Sequence, residues 1–117
     1  MTKNSFKYAI SGIAKEMLAG ASFKVMLIIL AIVIAAGIIF GITALEWLII
    51  LMCSAAVLTS EMFNTAIETV VDMITKEHDP KAEMAKDIAA GAVLVFSIFS
   101  SVIGAIIFLP YIIALFK

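Results

Sequence analysis

The chain has 117 residues, of which 64% are hydrophobic and 15% charged, with a formal net charge of −1 and a mean hydropathy of +1.19. Such a composition lies outside the range of soluble globular proteins, and no nucleic-acid partner is expected of it; it fits one small integral membrane domain. The single Cys53 sits in an apolar run, so no intramolecular disulfide is available and packing is its expected role.

Residues 4–19 place Phe6, Ile10, Ile13 and Met17 at helical spacing, with Lys7, Ser11 and Lys15 on the opposing face. The pattern predicts an amphipathic helix on the membrane surface, with Asn4 as its N-cap and Gly20-Ala21-Ser22 turning the chain inward. Residues 25–45 carry no charge and are long enough to cross a hydrocarbon core of about 30 Å, so they are expected to be the first span. This apolar run begins only after Lys24 and exceeds the roughly 7–15 residues of a signal-peptide core, so no signal peptide is expected. Glu46 and Trp47 suit the far interface, and a second span is predicted over residues 47–74.

Lys76-Glu77-His78-Asp79-Pro80 forms a polar connector in which Asp79 reads as an N-cap and Pro80 as the first helical residue. The third span is predicted over residues 80–116, with Lys81, Glu83, Lys86 and Asp87 in its wet first turns. Ala82, Ala85, Ala89 and Ala92, with Gly91 adjacent, mark a face that a neighbouring helix can approach closely. All 8 residues of the Lys and Arg class are lysines, and all but Lys117 cluster before the first span and between spans two and three. The excess of positive charge predicts a cytoplasmic N-terminus and a cytoplasmic 74–87 loop.

The second span contains the chemistry. At about 100° per residue, Glu61, Asn64, Glu68 and Asp72 fall within roughly 80° of one another on a single helix face. Carboxylates at full depth in hydrocarbon cost about 2.5–3.5 kcal/mol each on insertion scales, which argues for a site. Helix rise puts Glu61 several ångströms inside the cytoplasmic interface and Glu68 about 10 Å nearer to water. A lipid hydroxyl and a water-borne phosphate donor are separated by depth in the same sense. Glu61 is the candidate general base, Asn64 its hydrogen-bonding neighbour, Glu68 a candidate Mg²⁺ ligand, and Lys86 a group to neutralise phosphate charge. The spacing alone leaves a proton or ion pathway and polar helix pairing open as alternatives.

Glu61-x-x-Asn64-Thr65-Ala66-Ile67-Glu68-x-x-Val71-Asp72 and Ala85-Lys86-Asp87-Ile88-Ala89-Ala90-Gly91 resemble the prokaryotic diacylglycerol kinase family. Ser5-Phe6-Lys7-Tyr8-Ala9-Ile10 and Leu45-Glu46-Trp47-Leu48 are similar to its Gram-positive branch, which includes undecaprenol kinases. The resemblance covers nearly the whole chain. It implies an all-α homotrimer in the bacterial cytoplasmic membrane, each subunit with a surface helix and three spans. It also implies transfer of the γ-phosphate of MgATP to a membrane lipid alcohol, undecaprenol before diacylglycerol. On the matching positions, Glu61 is the general base and Glu68 binds metal, while Tyr8, Glu77, His78, Asp79, Lys86 and Asp87 contact the nucleotide. One departure stands out: where the family usually carries a second metal-binding glutamate, this chain has Gly20. Glu16, one turn earlier on the same face, is the residue available to substitute; the expectation is an active kinase with an altered metal site, a weakened or inactive member of the family being the alternative.

Overall fold

The computed structural model describes residues 3–117 and forms four α-helices, α1 (Lys3–Ala19), α2 (Ala21–Phe40), α3 (Ala44–Ile74) and α4 (Pro80–Leu115). Helices α2, α3 and α4 are apolar and long enough to cross a membrane, at 20, 31 and 36 residues. The α3–α4 hairpin provides the main packing, α2 leans on α3, and α1 is the least attached element.

The helix ends follow from local chemistry, and several of them differ from the sequence expectation: Asn4 lies inside α1 and does not cap it, α2 starts and ends earlier, and α3 starts earlier. The helix expected over residues 25–45 runs from Ala21 to Phe40, and it ends at Phe40 because Gly41 adopts a left-handed conformation (φ 63°, ψ 50°) and its N–H returns to the carbonyls of Gly37 and Ile38. That conformation ends a helix at little cost only when no Cβ is present. The next helix starts at Ala44 and not Trp47, since Thr43 and Glu46 form a reciprocal capping box, Thr43 N–H to Glu46 Oε1 at 2.9 Å and Glu46 N–H to Thr43 Oγ1 at 3.2 Å. Glu46 and Trp47 are therefore first-turn residues of α3, and the turn itself is Gly41-Ile42-Thr43. An uncharged run hides such turns because it records burial without recording backbone chemistry. At the other end of the hairpin, Asp79 Oδ1 accepts from the N–H groups of Lys81 and Ala82, and Pro80 opens α4. Pro110 lies within α4, which continues past it to Leu115.

The packed centre sits at the end that carries the α2–α3 turn. Ile42, Ile50 and Ile107 are buried there beneath Val33, Phe40, Trp47, Ile103, Phe108 and Tyr111. Phe40 lies against the rings of Phe108 and Tyr111 at 6.2 and 5.8 Å between centroids, and the Tyr111 hydroxyl donates to Glu46 Oε1 at 2.6 Å. Trp47 covers Gly37 so closely that a Cβ there would lie 2.7 Å from the indole. On α4, the small face toward the bundle begins with Ala82, Ala85 and Ala89 and continues through Val93, whereas Ala92 is exposed. Elsewhere most large apolar side chains lie on the outside, among them Phe6, Ile10, Ile32, Ile39, Phe63, Phe99 and Ile106. Leaving a side chain of this kind in water forgoes about 1.5–3 kcal/mol, so hydrocarbon is the solvent this surface fits.

Candidate active site

The polar face of α3 passes from burial to exposure along the helix. Ser60, Glu61 and Asn64 are buried, while Glu68 and Asp72 are exposed. Their angular spacing already puts them on one face; what covers the inner part is α1. Glu16 reaches across from α1 and is itself buried, its Oε1 accepting a 2.8 Å hydrogen bond from the Thr65 hydroxyl. Glu61 thereby has the carboxylates of Glu16 and Glu68 as charged neighbours, and the Asn64 side chain is its hydrogen-bonding neighbour one turn along. Asn64 Oδ1 is buried without a hydrogen-bond partner. An orphaned buried carbonyl oxygen is costly, by about 1–3 kcal/mol, and marks a place where a donor or cation belongs.

The water-facing end of the same face is closed by α4. Lys86 Nζ lies 2.6 Å from Asp72 Oδ1, with Glu68 also acting on its charge. This ion pair joins the start of α4 to the end of α3 and holds a cation at the level of Glu68. The structure therefore brings Glu61, Asn64, Glu68, Asp72 and Lys86 onto one continuous polar surface.

The remaining sequence-nominated residues are exposed elsewhere on the described chain. Tyr8 is 73% exposed on α1. His78 Nε2 lies 3.6 Å from Glu83 Oε2, both side chains being mostly solvated, and Asp79 caps α4. Glu77 is exposed in the connector, where its N–H donates to Thr75 Oγ1 at 3.1 Å. Asp87 is exposed. Thr65, which holds Glu16, was not among the residues singled out by sequence, although its angle places it on the same face as Glu61 and Glu68; only the acids and the amide of that face carried a signal.

The donor set suits a hard cation. Among the described residues no three His, Cys, Asp or Glu side chains converge into a self-contained metal cage. Mg²⁺ does not require one, because it is commonly held by one or two carboxylates together with water and substrate phosphates. Carboxylate oxygens graded along α3, with the unpaired Asn64 Oδ1 between them, fit that mode.

The family model for prokaryotic diacylglycerol kinase matches residues 7–108. The chain belongs to the prokaryotic diacylglycerol kinase family. Among its relatives, the undecaprenol kinase of Bacillus subtilis is 40% identical over 106 residues, spanning 91% of this chain and 86% of that protein. A diacylglycerol kinase of Synechocystis is 31% identical over 112 residues, with 95% of this chain matching 64% of the longer relative. A diacylglycerol kinase of Haemophilus influenzae is 29% identical over 106 residues, covering 90% of each. As a member of this diacylglycerol kinase family with three apolar helices of spanning length, the chain is a multi-pass membrane protein.

Proposed function

We propose that the protein is an ATP-dependent lipid kinase that transfers the γ-phosphate to the hydroxyl of a membrane lipid alcohol, undecaprenol first and diacylglycerol second. The observation that carries this reading is the grading of one polar face, with Glu61 and Asn64 buried and Glu68, Asp72 and Lys86 toward water. The relatives' names support the two lipid choices, and the 40% identity to the Bacillus undecaprenol kinase favours the first.

In the proposed reaction, Glu61 takes the proton from the lipid hydroxyl as its oxygen bonds to the γ-phosphorus. The bond from that phosphorus to the ADP oxygen breaks in line, ADP departs, and Glu61 later releases the proton to water. Asn64 orients the Glu61 carboxylate. Lys86 offsets charge on the phosphates, with Asp72 fixing its ammonium group. Glu68 would hold Mg²⁺, which would further neutralise phosphate charge when bound. Tyr8, Glu77, His78, Asp79 and Asp87 are assigned to the nucleotide on the water side, which is where a solvated ligand would meet their exposed side chains.

The apolar lining between α2, α3 and α4 supports a lipid acceptor. A groove of about 650 Å³ is walled by side chains such as Val25, Ile29, Val33, Val57 and Phe108, and its lining includes Ser22 on α2 and Leu58 on α3. Leu58 is three residues from Glu61, about 4.5 Å along the helix, so a chain in the groove would bring its head near the base. The exposed apolar faces and the thin three-span bundle support a homotrimer in the bacterial cytoplasmic membrane, with the N-terminus and the 74–87 loop in the cytoplasm. The deciding experiment is ATP-dependent phosphorylation by the purified protein in mixed micelles, with undecaprenol and diacylglycerol offered in parallel and Glu61→Gln as control. A labelled lipid that is lost in the control is expected; no product from either lipid would refute the reading.

A further inference from the structure

Glu16 is a buried carboxylate without a cationic partner among the described residues. It is 7% exposed, its hydrogen bond comes from the neutral Thr65 hydroxyl, and the ion pairs among the described residues involve His78 with Glu83 and Lys86 with Asp72 instead. Its charged neighbour is another acid, Glu61. Two acids drawn together in a desolvated place call for a positive partner.

Gly20 explains how the carboxylate comes to be there. A Cβ built at Gly20 would lie 2.8 Å from the Glu16 carbonyl oxygen and also 2.8 Å from Glu16 Oε1, with Cδ at 3.1 Å. The volume that any side chain at position 20 would enter is thus already filled by the Glu16 carboxyl group. The α1–α2 joint is tight as well, since the Gly20 N–H donates to the Glu16 carbonyl at 2.8 Å. Position 20 is therefore not a lost carboxylate; the negative charge reaches the same place from one turn upstream. Close by on α3, Asn64 is 8% exposed and its Oδ1 has no partner. It sits between Glu61 and Glu68 in the helix, its side chain hydrogen-bonds the Glu61 carboxylate, and its Oδ1 is left with vacant lone pairs.

We infer that Glu16 is a ligand for the hard divalent cation that accompanies the nucleotide, acting with Glu68 in a site that Gly20 leaves open for it and Asn64 Oδ1 adjoins. The inference rests on the kinase reading for the nucleotide's part, whereas metal binding itself is measurable without turnover. A side chain at position 20 enters the space that the Glu16 carboxyl group occupies, so a carboxylate added there displaces Glu16 from its present position.

The test is Mn²⁺ binding, read by the loss of the free-ion electron paramagnetic resonance signal. Mn²⁺ is titrated into the purified full-length protein in micelles, first alone and then with a non-hydrolysable ATP analogue. Glu16→Gln keeps the volume and an acceptor for Thr65, and its affinity for Mn²⁺ is expected to fall by about tenfold or more while helical circular dichroism is retained. Gly20→Glu is expected to leave the affinity no tighter than in the parent chain. Coinciding curves for the parent and Glu16→Gln, no bound Mn²⁺ in either series, or tighter binding by Gly20→Glu would each overturn the assignment. Lipid phosphorylation by the parent protein is measured in parallel. Turnover with an unaffected Glu16→Gln titration removes Glu16 alone, whereas absent turnover counts against the kinase and leaves the Mn²⁺ curves to decide Glu16.

Discussion

Replacing Glu61 by Gln separates chemistry from folding because the two effects are expected to have opposite character. Glu61 is buried among the carboxylates of Glu16 and Glu68, so an uncharged isostere relieves like-charge repulsion and desolvation while keeping the shape and the hydrogen-bonding capacity toward Asn64. The variant should unfold at the same temperature as the parent or higher. Catalysis should collapse. A positioned general base contributes about 10²–10⁴ in rate, equivalent to about 2.7–5.4 kcal/mol of transition-state stabilisation, and an amide cannot accept the proton. Because Glu61 and Glu68 are about 10 Å apart along α3, the KM for ATP should change far less than kcat. The assay is lipid phosphorylation in mixed micelles across a range of ATP concentrations, with thermal unfolding followed by circular dichroism on the same samples. A kcat within about tenfold of the parent would refute the role of Glu61 as base. A loss of activity accompanied by a lower melting temperature would show that its role is to hold the fold.

Lys86→Met retains the aliphatic stem and removes the charge that lies 2.6 Å from Asp72; kcat/KM for ATP should drop by about 10²–10³, as for loss of one phosphate-stabilising donor, with little change in melting temperature because the pair is half-solvated. Asp72→Asn should have a smaller effect on the same measurement, since the Lys86 ammonium group remains. Tyr111→Phe deletes the 2.6 Å hydrogen bond to Glu46 at the end of the bundle opposite the site; it should lower the melting temperature in micelles while leaving kcat unchanged. Gly37→Ala forces a Cβ to within 2.7 Å of Trp47 and should destabilise the bundle by about 1–3 kcal/mol, measured by reversible unfolding in mixed micelles.

The legibility of the site varied with the kind of signal each residue carried. Glu61, Asn64, Glu68 and Asp72 stood out because acids and an amide on one face of an apolar helix have few structural explanations, and the structure places all four on a continuous surface with Lys86. The importance of Glu16 was visible only as proximity in sequence to Gly20; its burial and its bond to Thr65 join residues 49 positions apart. Thr65 itself was silent, since a threonine in a membrane helix commonly bonds its own backbone, as Thr69 does to the Thr65 carbonyl at 2.8 Å. The helix ends at Phe40 and Ala44 were misplaced by about five and three residues at the sequence level, because Gly41, Ile42 and Thr43 are as uncharged as the spans they separate.

Class, number of crossing helices and the acidic face were determined by the sequence alone, because these depend on hydropathy and on helical periodicity, which are properties of short windows. The tertiary structure decided what faces that surface: α1 turning at Gly20 to bring Glu16 against Thr65, α4 placing Lys86 beside Asp72, and Tyr111 closing on Glu46 at the far end. Each is a contact between distant parts of the chain whose geometry depends on helix ends and crossing directions. In Gly20 the two levels meet. By sequence the residue is a missing carboxylate; in three dimensions it is the space that Glu16 fills.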